Sequence, residues 1–195
     1  MEGIGVNADD RRARYLDVLR ELILTTGFSN LTTDRMAAVL RCSKAVIYSL
    51  WRNKDDVVTA ALRDFLREVD TRAVRFGSQV DDPAERISAY LNTVGSELRR
   101  MSKTCYRDVL SNDATRDLYL DEARTRADRL AGYLRDGVAS GGFRPTHVEF
   151  VTTAVALLSG GPHARVGYRD EPAPVEWYQQ MSELVVASLT NQDWT

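Results

Sequence analysis

Residues 31–57 read LTTDRMAAVLRCSKAVIYSLWRNKDDV. Thr32 or Thr33 suits the N-cap of a short helix, because a hydroxyl accepts from the free amides of a first helical turn. Asp34 then lies where the helix dipole favours an anion. Met36, Ala37 and Leu40 follow at the spacing of one buried face. Arg41-Cys42 makes a corner, and Ser43 is a second N-cap. From Lys44 a further helix places Ile47, Leu50 and Trp51 on one side. Asn53 can cap a third helix, with Asp55 and Asp56 in its first turn. Two short helices meeting at a tight corner, followed by a third, form the layout of a helix-turn-helix. In that motif the second helix enters the DNA major groove.

The face opposite Ile47, Leu50 and Trp51 has the composition a groove-reading helix needs. It presents Ala45, Ser49 and Arg52, flanked by Val46 and Tyr48. Small residues allow close approach, and an apolar one such as Val46 can meet a thymine methyl group. Lys44 near the helix start and Lys54 past the next corner are each in a position to meet a phosphate, as are the hydroxyls of Tyr48, Ser43 and Thr33 and the Arg41 side chain. The plainer alternatives are a half-buried tyrosine, solvated lysines, rim packing by Val46 and a purely capping Thr33.

Charge supports the first reading by its distribution. The chain has 195 residues and a formal net charge of -2, with a pI near 5.8. A basic DNA-binding domain usually lies well above that value. Yet residues 32–54 hold five basic side chains against Asp34 alone, whereas residues 77–195 hold 13 basic and 17 acidic ones. A basic segment on an acidic remainder still provides a local field for phosphates.

The ordered pieces resemble the N-terminal domain of the TetR/AcrR regulator family from about Arg12 to about Phe65. They are Thr26-Gly27-Phe28, Leu31-Thr32-Thr33, Met36-Ala37, Ser43, Ile47-Tyr48, Trp51 and Asn53-Lys54-Asp55. The resemblance implies an all-α homodimer. Each subunit would have an N-terminal three-helix helix-turn-helix head and a larger helical-bundle domain for effector binding and dimerisation. Effector binding usually releases the DNA in that family. Three positions depart from its pattern. Arg41 stands where Gly is usual, so the corner is either shaped differently or strained at a residue that still reaches a phosphate. Leu50 replaces a frequent His or Tyr and removes one expected phosphate contact. Trp51 stands where Phe is common.

On this basis residues 1–53 form an N-terminal arm and the DNA-binding domain, 54–76 a connecting helix, and 77–195 the effector and dimerisation domain. The rest of the chain reads as helices over Asp9 to Thr26, Lys54 to about Phe76, Pro83 to Met101, about Thr104 to Leu110, Asn112 or Asp113 to about Ala139, Val148 to Leu158 and about Pro174 to Thr190. No period-two strand pattern is present. A pocket among the body helices would be mostly apolar with a few polar groups. Tyr90, Leu98, Met101, Tyr106, Leu110, Tyr119 and Tyr133 are its candidates by virtue of lying on those helices, with ordinary core packing as the alternative. The segment from Gly160 to Pro174 reads as a loop, with His163 on its surface.

The helix VEFVTTAVALL (148–158) is apolar on more than one side, as a buried helix is. Paired with the last helix it offers a dimer interface of Phe150, Val151, Ala154, Leu158, Trp177, Met181, Leu184 and Val185, unless both helices simply complete the monomer core. A two-fold pair would read two half-sites of a palindromic double-stranded DNA operator about one helical turn apart.

Other function classes find little support. His147 and His163 lack metal-ligand spacing, and there is neither a phosphate-cradling Gly-rich loop nor a nucleophile elbow. No enzyme, cofactor or metal is implied. No apolar run approaches a membrane span, and MEGIGVNADD is no secretory signal but a loose arm. Cys42 and Cys105 make no disulfide framework, so cytoplasmic residence is the default; a redox role for Cys105 is weighed against small-residue packing. The expected function is that of a homodimeric regulator, a repressor released by a small molecule. The alternative is a helical ligand-binding dimer that has lost sequence-specific DNA binding, favoured by Arg41 and Leu50.

Overall fold

A computed structural model describes residues 8–159 and 174–190. Among these residues there are α-helices and no strands: α1 (Ala8–Thr26), α2 (Thr33–Leu40), α3 (Lys44–Leu50), α4 (Lys54–Gly77), α5 (Pro83–Leu98), α6 (Lys103–Ser111), α7 (Asp113–Ala139), α8 (Val148–Ser159) and α9 (Pro174–Thr190). The expected all-α class and helix order are borne out. Residues 1–7 of the expected arm and the 160–173 segment, with His163, lie outside the described residues, whereas Ala8, Asp9 and Asp10 of that arm belong to α1.

The helix ends follow local chemistry. Gly27 ends α1 at φ 76°. Thr32, not Thr33, caps α2, its hydroxyl accepting from the Arg35 amide. Asn53 accepts from the Asp56 amide at 2.8 Å and so caps α4. Asp82 accepts from the amides of Ala84 and Glu85, with Pro83 in the first turn of α5. Ser102 caps α6 and Asn112 caps α7. Each cap satisfies amides that the helix itself leaves unpaired.

Two expectations are corrected. Trp51 does not continue α3: its backbone is extended (φ -141°, ψ 143°), and its buried ring lies under the Arg12 guanidinium at 5.8 Å. Helix α5 stops at Leu98, so Met101 lies beyond it, between α5 and α6.

The chain forms two compact units. The head unit comprises residues up to Phe65 together with Arg100–Leu118, so α6 belongs with α1–α3. Its core includes Leu19, Ile23, Phe28, Met36, Ile47, Trp51, Leu62, Cys105 and Val109, all buried. The body unit comprises Leu66–Arg99 and the chain from Tyr119 onward. There α9 packs on α5 and α8, around a core that includes Ile87, Tyr90, Val94, Leu130, Leu134, Val155 and Met181. No helix among the described residues is long and apolar enough to cross a membrane.

Candidate nucleic-acid interface

The corner between α2 and α3 turns at Arg41, which sits in the left-handed region at φ 51°, ψ 44°. The Arg41 amide donates to the Ala38 carbonyl, and the Cys42 amide to the Ala37 carbonyl. This pair of bonds is the Schellman closure that Gly usually makes at a helix C-terminus. Of the two outcomes posed by Arg41, the structure therefore has the strained one: the corner keeps its shape and Arg41 accepts the unfavourable conformation. Among the described residues it is the one non-Gly residue at positive φ. Its side chain is exposed.

Helix α3 is fixed from behind by Ile47, which is buried, with Leu50 half-buried beside it. Its other side is open. Ser43, Lys44, Ala45, Tyr48 and Ser49 are exposed, and Val46 is half-buried. Tyr48 is 54% exposed although it is aromatic, and its hydroxyl lies 3.3 Å from the half-buried Thr33 hydroxyl. That contact brings two of the three candidate phosphate hydroxyls together across α2 and α3. Lys44 pairs with Asp34 at 2.6 Å, and Asp34 holds its ammonium above the usual lysine pKa. Ser43 occupies the N-cap position of α3, but its hydroxyl makes no capping bond. The Ser49 hydroxyl turns back to the Val46 carbonyl at 2.7 Å. Lys54 is half-buried and donates to the Phe28 carbonyl at 3.3 Å, which ties the start of α4 to the turn after α1.

That turn has a second anchor that sequence reading missed. One carboxylate oxygen of Asp108, on α6, accepts from the amides of Phe28 at 2.7 Å and Ser29 at 2.9 Å. Gly27 makes this approach possible, since a Cβ there would stand 2.5 Å from the same oxygen. Burial raises the Asp108 pKa, but the Ser29 and Phe28 hydrogen bonds and the nearby Arg107 outweigh it, so the carboxyl titrates below its ordinary value. The available signal was an acid on the buried stripe of Cys105, Asp108 and Val109, where a charged side chain must find partners. Cys105 beside it is fully buried, and burial, then Asp108, pushes its thiol up to about 12. A protonated, buried thiol of this kind is a poor redox sensor.

The effector candidates divide between the units. Met101, Tyr106 and Leu110 lie in the head unit, and Tyr90, Leu98, Tyr119 and Tyr133 in the body unit. In the body, Tyr90 and Tyr133 meet edge to face with ring centroids 5.5 Å apart. Tyr90 donates to Asp70 at 3.3 Å, and Asp70 is gripped by Arg129 through bonds of 2.8 and 3.2 Å. Of the interface candidates, Phe150 is 76% and Leu184 64% exposed. Val151, Ala154, Leu158 and Trp177 are half-buried, and Trp177 donates its indole N–H to the Leu158 carbonyl. Met181 and Val185 face into the body core. Leu157, not named from sequence, is 67% exposed on α8.

No family model matches the chain. It is 28% identical over 128 residues to the DNA-binding transcriptional repressor TetR of Mycobacteroides abscessus, across 66% of this chain and 62% of that protein. The chain spans 57–62% of the length of the curated relatives it matches. A TetR transcription regulator from Haloarcula marismortui superposes with a TM-score of 0.77 at 17% identity, over 94% of this chain and all of that one. A transcriptional regulator from Saccharomonospora viridis, solved in complex with choline, gives a TM-score of 0.75 at 23% identity over the same shares. The chain is thus similar in sequence to a named TetR repressor over 66% of its length, and similar in fold to a solved TetR regulator over 94% of it.

Proposed function

We propose that this chain is a homodimeric DNA-binding regulator, a repressor that reads a palindromic operator through α3 and leaves it when a small molecule binds the body. The observation that carries the reading is the outward face of α3. It is short, small-sided and open, with an exposed aromatic hydroxyl, and it is braced from behind by buried Ile47. Arg41, Ser43 and Lys44 stand at the N-terminal end of that helix, where phosphates fix register, and Ala45, Val46 and Ser49 lie where base edges would meet it. The retained corner geometry at Arg41 counts against the alternative of a dimer that has lost DNA binding. The named relatives are regulators, and one structural neighbour was solved with choline, which supports a small-molecule effector.

The test is fluorescence anisotropy of a labelled fragment from upstream of the chain's own gene. Binding with Tyr48→Phe should weaken several-fold, because the hydroxyl shared with Thr33 is lost without a change of volume. Unchanged binding, with the fold intact by circular dichroism, would remove Tyr48 from the interface.

A further inference from the structure

Arg126 lies on α7 along the apolar stripe of Tyr119, Ala123, Ala127, Leu130 and Leu134. It is only 3% exposed, and none of its three guanidinium nitrogens has a hydrogen-bond partner. A buried guanidinium carries five donors and does not shed its charge. Leaving it unpaired costs far more than leaving a neutral group so, and buried charges are as a rule paired. Asp70, the carboxylate bonded to the neighbouring Tyr90, is engaged by Arg129. Glu122, one turn earlier on α7, acts on Arg126 through space and makes no hydrogen bond with it.

Aromatic groups surround the cation. The Arg126 guanidinium carbon is 6.0 Å from the centre of the Tyr119 ring. Tyr178, on α9, and Tyr90, on α5, also lie within electrostatic range of it. The Tyr178 hydroxyl is itself buried without a partner. Two orphaned polar groups, one a permanent cation and one a phenol, thus share one aromatic interior in the body unit. A carboxylate accepts from both kinds of donor, and its two oxygens match the guanidinium fork. The rings around it suit an apolar or aromatic remainder.

We propose that the body unit binds a small carboxylate with an apolar body, with Arg126 as its counter-ion and the Tyr178 hydroxyl as a second donor. This deepens the effector reading above and names the ligand class for it. The site needs no residue of the head unit.

The test is thermal unfolding of the full chain without DNA. The probes are benzoate, phenylacetate and octanoate at 10 mM, each paired with its amide. At least one carboxylate should raise Tm by about 3 °C or more, while its amide, equal in shape and uncharged, should not. Arg126→Met should abolish that shift and leave the ligand-free Tm equal or higher, since a buried unpaired charge has gone. The proposal is overturned if no carboxylate raises Tm, if amides act equally, or if Arg126→Met lowers the ligand-free Tm or fails to fold. The last result would mean that Arg126 serves the fold itself. Because DNA is absent, failure here leaves the DNA-binding reading standing, and loss of operator binding leaves this one standing.

Discussion

Two single residues set the shape of the head. Arg41 supplies the left-handed turn before α3 at a cost that Gly would not incur. Arg41→Gly is expected to raise Tm by about 1–2 °C, because the relief of strain slightly exceeds the added freedom of the unfolded chain. The same variant should lower operator affinity several-fold by losing a cation beside α3. Opposite signs in calorimetry and DNA titration separate the two effects. Gly27 is the converse case. At φ 76° and with Asp108 against its Cα, Gly27→Ala should destabilise the protein by about 2–3 kcal/mol, measured by urea unfolding. Sequence alone marked Arg41 as an anomaly but left its outcome open, because whether a corner reshapes or stays strained depends on the packing of both helices. Gly27 was legible only as a helix terminator. The carboxylate that makes it indispensable comes from α6, far along the chain.

At the scale of elements, α6 does what its sequence position did not announce. Its Asp108 clamps the turn between α1 and α2 through two amides. The folded carboxyl titrates below the ordinary value, so its contribution is fully present above the unfolded pKa of about 3.9. That contribution is lost as pH falls through the lower, folded value. Asp108→Asn should therefore be less stable than wild type at neutral pH, with the gap closing on acidification below about pH 4; chemical unfolding across pH checks this. Helix boundaries were readable almost throughout, since Gly27, Asn53 and Pro83 are local signals that need no tertiary knowledge; the Ser102 cap of α6 was not read. The misses at Trp51 and Met101 share one cause. Each is a large apolar residue in phase with a helix that has already ended, and periodicity cannot distinguish a core residue on the helix from one just past it.

For the whole molecule, the α3 face was legible because it is a short-range pattern: small residues outward, large ones inward. The body was not, because its important groups are defined by contacts between distant helices. Arg126 reads as one of many surface charges until α7 is seen to bury it. In the same way α8 and α9 leave Phe150, Leu157 and Leu184 exposed while turning Met181 and Val185 inward, a split that hydrophobicity alone does not give. If the exposed three form the surface between two copies, Leu184→Glu should shift sedimentation toward monomer with little change in secondary structure. Operator affinity should fall with it, since one head grips one half-site. The most direct measurement of the central claim is the salt dependence of operator binding by anisotropy, for wild type and Lys44→Ala. The claim that α3 lies in the groove with Lys44 on a phosphate predicts a steep linear fall of log K with log salt, and a slope shallower by about 1 in the variant. Identical slopes for the two proteins, or binding indifferent to salt, would contradict it.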